Sequence, residues 1–190
     1  DEEIPIQERP EHRSINYSIS FFKMKDKINC IDSKNESVFN QAKLFLKELP
    51  RNGLDTYEMD KSQLFIIDTM TKRLILRYHK EGVIVSPKFA GCGILMNCEG
   101  DIYLNKTLVE IKAGNRLFQA VDLKQLLIYS ALNWQIKNLE IQELELFNPR
   151  LGILWREKTD DVIRAISNTS KEEVYDEICR YLIDQTVRPN

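Results

Sequence analysis

The chain has 190 residues, 43% of them hydrophobic and 29% charged, which describes one ordinary globular domain with a sizeable core and leaves two domains cramped. Seven glycines and six prolines exclude collagen-like and low-complexity readings, and only two histidines, His12 and His79, leave little for imidazole catalysis or a His-rich zinc site. The net charge of −2, from 27 basic and 29 acidic residues, argues on its face against the basic footprint of a nucleic-acid binder.

Residues 1–13 are polar, contain Pro5 and Pro10 and carry five acids against two bases, so a mobile arm is expected there. One domain is expected over 14–190. Asn16 to Phe22 alternates like a strand, and Ser33 with Glu36 reads as a capping box opening a helix. Val38, Phe39, Ala42, Phe45, Leu46 and Leu49 form that helix's apolar face, and Pro50 with Gly53 ends it. Short β-rich runs follow at Leu64 to Ile67, Leu74 to Tyr78 and Val83 to Val85. After a loop with Pro87, Gly91 and Gly93, the segments Asp101 to Leu104 and Thr107 to Lys112 read as a hairpin turned by Asn105 and Lys106. A helix is expected from Asp122, capped with Gln125 and stapled by Val121 and Leu126, to about Asn133 or Lys137. Ile141 to Phe147 reads as a strand, Asn148 to Arg150 as a turn and Gly152 to Trp155 as a short strand. Two closing helices, within 159–184, begin near Thr159 or Asp160 and at Ser170, whose partner Glu173 completes a capping box; Val174, Ile178, Tyr181 and Leu182 line the inner stripe of the second.

Cys30, Cys92, Cys98 and Cys179 form no C-x-x-C pair and read as reduced structural thiols. No run approaches a membrane span and no signal segment opens the chain, so a cytoplasmic protein with no membrane partner is expected. Asp1 in place of Met points to a chain cut from something longer.

With Asn105 and Lys106 in the turn, Leu104 faces Thr107, Tyr103 faces Leu108, Ile102 faces Val109 and Asp101 faces Glu110. Opposed like charges destabilise a sheet unless something positive lies between them, and Lys112 shares Glu110's face. The oxygen donors Asp101, Glu110 and the backbone carbonyl of Ile111 suit Mg²⁺ or Mn²⁺. A metal-bound water beside an ammonium group points to phosphodiester hydrolysis.

These residues resemble the PD-(D/E)XK, or restriction-endonuclease-like, nuclease superfamily. The likeness lies in Gly100-Asp101, Glu110-Ile111-Lys112, and Gln125 with Tyr129 on the next helix, within a core of about residues 33–147. It implies an α/β fold with a mixed central sheet flanked by helices in the order α-βββ-α-β, here with an extra N-terminal strand and C-terminal helices. It further implies that Asp101 and Glu110 are metal ligands, that Lys112 orients or activates water, and that Gln125 supports the site. Glu36 is the candidate for an acid on the first helix. Gly100 stands where the superfamily pattern has proline.

The D/E-x-K tripeptide occurs three times, at Asp32, Glu110 and Asp122, and only the middle copy lies on an expected strand with an acid facing it. Gln125 and Glu36 also read as capping residues, and Tyr129 as a core residue. Lys88 and Arg116, on flanking segments, are candidates for substrate contact, alongside Tyr129. The implied activity is hydrolysis of DNA, with RNA left open, as the cleaving module of a restriction, repair or anti-phage defence assembly. Protein partners or a second copy of the chain are expected. The alternative is a non-catalytic scaffold or nucleic-acid-binding subunit of the same fold. Residues 61–134 hold ten bases and six acids, so the basic block coincides with the expected site.

Overall fold

A computed structural model describes residues 8–47, 54 and 57–187. The chain is α/β, and its described residues divide into two compact units. The first comprises the N-terminal segment to Glu81 with the short stretches Ala113–Arg116 and Asn148–Ile153; the second comprises Gly82–Lys112, Leu117–Phe147 and the segment from Leu154 onward.

The first unit is built on three helices, α1 (Arg13–Ile28), α2 (Asn35–Leu46) and α3 (Lys61–Tyr78), preceded by a 3-10 turn at Pro10–His12. Packed structure therefore begins before residue 14: Glu8 and His12 are buried, in place of the expected arm, whose residues 1–7 lie outside the described residues. The strand expected at Asn16 to Phe22 is part of α1. Ile15 and Ile19 are buried one helical turn apart, but Asn16 and Ser20 are buried beside them, so polar residues interrupt the apolar stripe. Ser20 Oγ satisfies itself on the carbonyls of Asn16 and Ile67, at 2.7 and 3.1 Å.

The runs expected as strands at 64–67 and 74–78 both belong to α3. Ile66, Ile67, Met70, Leu74 and Tyr78 are its buried stripe, and Asp60 caps it by accepting from Gln63 N at 2.9 Å. Ser33 does not cap α2, whose N-cap is Lys34; its hydroxyl bonds Asp26 instead. On α2, Val38, Ala42 and Leu46 are buried whereas Phe45 is exposed, and Leu49, Pro50 and Gly53 lie outside the described residues.

A buried polar network ties the pieces of this unit together. Arg150 pairs with Glu8 through Nη1 and donates from Nε to Ala113 O at 2.6 Å. Asn16 Nδ2 donates to Glu8 Oε1 and Gln63 Oε1, at 2.7 and 2.6 Å, and Tyr57 donates to Asn16 Oδ1 at 2.7 Å.

The second unit carries a five-stranded mixed sheet in the order β1-β4-β5-β6-β7, from β1 (Ile84–Val85), β4 (Ile102–Leu104), β5 (Thr107–Ile111), β6 (Glu143–Asn148) and β7 (Ile153–Lys158). The turn at 149–152, which belongs to the first unit, joins the last two strands, too short a connection for anything but an antiparallel pair. A separate ribbon pairs β2 (Lys88–Phe89) with β3 (Cys98–Glu99). β4 runs antiparallel to β5, and β5 runs parallel to β6 through the crossover helix α4 (Ala120–Ile136). Helices α5 (Thr159–Ile166) and α6 (Lys171–Val187) close the chain. Leu108, Leu144 and Leu146 of the sheet form one core with Leu126, Ala131 and Leu132 of α4 and Val174, Tyr175, Cys179 and Leu182 of α6. The expected stripe on α6 is shifted accordingly, since Tyr181 is exposed. The Ser170–Glu173 capping box is present in both directions, at 3.0 and 3.2 Å. No described helix is long and apolar enough to cross a membrane.

Candidate active site

The β4–β5 hairpin has the expected register, with Leu104 opposite Thr107, Tyr103 opposite Leu108 and Ile102 opposite Val109. Asn105 and Lys106 both take left-handed backbone conformations, φ 50° and 64°, as a two-residue hairpin turn matched to strand twist requires. The ladder ends at Ile102. Asp101 lies just before β4 and sends Oδ2 to the backbone N–H of Ile111, at 2.7 Å.

Glu110 and Lys112 follow on β5 and just beyond it. Lys112 Nζ lies 2.7 Å from Glu110 Oε1 and donates at 2.7 Å to Gln125 Oε1 on α4. Gln125 Nε2 in turn donates to the Tyr129 hydroxyl at 2.8 Å, and the Tyr129 ring stacks on Phe89 with centroids 5.1 Å apart. Gln125 and Tyr129 are one helical turn apart, so both face the hairpin. The second unit thus brings Asp101, Glu110, Ile111, Lys112, Gln125 and Tyr129 together.

α4 starts earlier than expected. Its N-cap is Gln119, whose capping-box partner is Asp122 at the third helical position. Asp122 Oδ2 accepts from Gln119 N at 2.9 Å, so Gln125 is released from capping and its amide serves Lys112 and Tyr129. Val121, expected as half of a staple, is exposed.

Gly100 has a physical reason. Its N–H donates to Pro87 O at 2.9 Å, a bond that a proline would forfeit, and an added Cβ would lie 3.1 Å from the Phe89 ring. That ring supports Tyr129, so the small residue keeps the stack in place.

The electrostatics are those of crowded acids. Burial, then the charge of Glu110, raise the Asp101 carboxyl from 3.8 to about 8, against the opposing pull of the Ile111 N–H and Lys112. Burial also raises Glu110; Lys112 opposes this through charge and hydrogen bond, while the charge of Asp122 adds to it. Burial raises the Tyr129 phenol to about 12, and Gln125 pulls the other way. Asp122 is therefore a third acid in the field of this site. Its place three residues before Gln125 was visible as a cap, and its burial was not.

Lys88 is largely exposed and its ammonium lies 3.7 Å from Glu99 across the β2–β3 ribbon. Glu36 and Arg116 belong to the first unit, Glu36 exposed in the first turn of α2 and Arg116 exposed on the 113–116 stretch. Among the described residues no three acidic, histidine or cysteine side chains form a ligating group. The groups here that could serve a cation are two carboxylates and a backbone carbonyl, all oxygen, a donor chemistry that suits a hard, largely hydrated divalent ion. Asp101 Oδ1 carries no hydrogen bond among the described residues. No family model, curated protein or solved structure matches the chain.

Proposed function

We propose that the chain is a divalent-metal-dependent nuclease of restriction-endonuclease-like fold that hydrolyses DNA, acting as the cleaving module of a restriction, repair or defence assembly. One observation carries the reading: two burial-raised carboxylates, Asp101 and Glu110, stand at one hairpin end with an ammonium group, Lys112, fixed beside them by Gln125. Buried like charges arranged around a positive partner are costly to fold and are concentrated where chemistry needs them.

In this reading Asp101, Glu110 and the Ile111 carbonyl hold Mg²⁺ or Mn²⁺. The bound ion supplies Lewis-acid activation of phosphate and water. Lys112 donates to the attacking water or to a non-bridging phosphate oxygen, and Gln125 keeps the ammonium from turning wholly onto Glu110. Tyr129 fixes the Gln125 amide so that its oxygen, not its nitrogen, faces Lys112. Lys88 is proposed as a phosphate contact, and partner subunits or a second copy supply affinity and targeting.

The purified chain should cleave supercoiled, linear or single-stranded DNA in Mg²⁺ or Mn²⁺, and chelation should abolish this. Single-stranded RNA under the same conditions tests the substrate class. Equal cleavage by Lys112→Ala and Glu110→Ala would overturn the site. Failure both to cleave and to bind Mn²⁺ by calorimetry would overturn the activity and leave the scaffold alternative.

A further inference from the structure

At the other end of α4, about 18 Å along the helix from Gln125, the second unit holds an open cavity of about 840 Å³. Its size is that of a small-molecule pocket. Half-buried Trp134 supplies its aromatic surface, with the buried Tyr175 ring behind it at 6.2 Å between centroids. Lys137, Lys158 and Lys171 line it, as do the acids Glu140, Glu143 and Asp160.

The six charges are not equivalent. Glu140 pairs with Lys106 at 2.8 Å, Asp160 with Lys171 at 2.7 Å, and Glu143 accepts from the Thr107 hydroxyl at 3.0 Å with Arg156 at 3.7 Å. Every carboxylate of the lining is already matched. The ammonium groups of Lys137 and Lys158 have no carboxylate partner among the described residues, and Lys137 Nζ lies 4.9 Å from the centre of the Trp134 ring. Lys137 is also the left-handed C-cap of α4, φ 51° and ψ 38°, a position where glycine is the low-cost residue. A lysine there accepts backbone strain to place an ammonium beside an indole.

We propose that this cavity binds a nucleotide, with the planar base against Trp134 and the phosphate on Lys137 and Lys158. A neutral sugar would leave the two ammonium groups unused, and an acidic peptide would leave the aromatic surface unused; a phosphorylated nucleoside uses both. The ligand is either a free mononucleotide or the phosphorylated end of a strand. The site is separate from the carboxylates and does not depend on the nuclease reading.

Trp155→Phe leaves Trp134 as the single fluorophore of the two tryptophans. In that background, with chelator present, the four ribonucleoside 5′-monophosphates should include at least one that quenches Trp134 saturably. The unphosphorylated nucleoside and inorganic phosphate should each bind at least tenfold more weakly. A 5′-phosphorylated tetranucleotide that binds more tightly than the mononucleotide assigns the strand end; the reverse order assigns the free nucleotide. Lys137→Gly with Lys158→Ala should weaken binding at least tenfold, and since glycine relieves the C-cap, the melting temperature should not fall. Lys112→Ala should leave binding unchanged. Absence of saturable quenching by every phosphorylated probe, or equal binding by the double variant, would overturn the proposal.

Discussion

Each unit buries an acid beside a base, and the two arrangements differ in stoichiometry. In the first, Glu8 and Arg150 are 3% and 2% exposed and matched one to one. Both Glu8 oxygens are used, by Asn16 and Arg150, and Arg150 spends its other donors on the carbonyls of Ala113 and Arg13. In the second, Asp101 and Glu110 share Lys112, with Asp122 adding a third negative charge nearby. Lys112 is 24% exposed, so solvent reaches the ion pair. A balanced, fully bonded pair is a structural fastening, whereas a surplus of buried acids around one partly exposed base leaves negative charge uncompensated, which is what the proposed cation would neutralise.

The largest expected effect lies on the unbalanced side. Lys112→Ala or Glu110→Ala should lower metal-dependent cleavage by about 10²- to 10⁴-fold, the range for loss of a positioned proton-transfer or electrostatic group. Thermal melts should show both proteins folded. Arg150→Ala should instead be felt in stability, by about 3–5 kcal/mol in urea denaturation, because Glu8 is left buried and unpaired. Replacing both, as Glu8→Leu with Arg150→Met, should recover most of that loss. If the double replacement is no better than the single one, the pair is not the balanced fastening drawn here.

Proton linkage sharpens the same contrast. The folded chain keeps the Asp101 proton over a range in which the unfolded chain has released it. The contribution of Asp101 to the stability of the metal-free protein should therefore be full below the ordinary value of 3.8 and be lost as pH rises to about 8. Asp101→Asn should flatten that slope and leave the protein more stable than the parent at pH 8, by at least ~1 kcal/mol. An Asp101→Asn variant whose stability follows the same pH slope as the parent across this range would contradict the assigned burial. The smallest effect is expected of Tyr129→Phe. The ring stack on Phe89 survives, so about 1 kcal/mol of stability is lost with the hydroxyl, and cleavage should fall by less than tenfold as Gln125 loses its orientation.

The hairpin was legible because its evidence is local. Asn105 and Lys106 fix the turn, and the turn fixes every pairing down to Ile102 opposite Val109. The expected face-to-face Asp101 and Glu110 became a carboxylate reaching the Ile111 N–H, since the ladder stops one pair short. The N-terminal helices were misread for opposite reasons. In α1, Asn16 and Ser20 are buried and interrupt the apolar stripe. In α3, clusters of Leu and Ile resembled strands, although Asp60 and Gln63 carried a capping signal. The order of elements before the site therefore came out wrong, while α4, β6, β7, α5 and α6 appear where expected within a few residues. Gln125's place beside Lys112 depended on the true start of α4, which moved the cap to Gln119.

The Lys106 carbonyl accepts from both Gln142 and Glu143, at 2.8 and 3.2 Å, and thereby fastens the hairpin turn to the start of β6. Side chains alternate faces along a strand, so orientation at position 110 is a phase counted from residue 107. A shift of one residue at the turn would point Glu110 and Lys112 to the opposite face without altering either side chain. The fastening at Lys106 works as a clock reference: it holds the parity of the strand at Glu110 and Lys112, and a deletion there would turn both side chains away from Gln125 by miscounting.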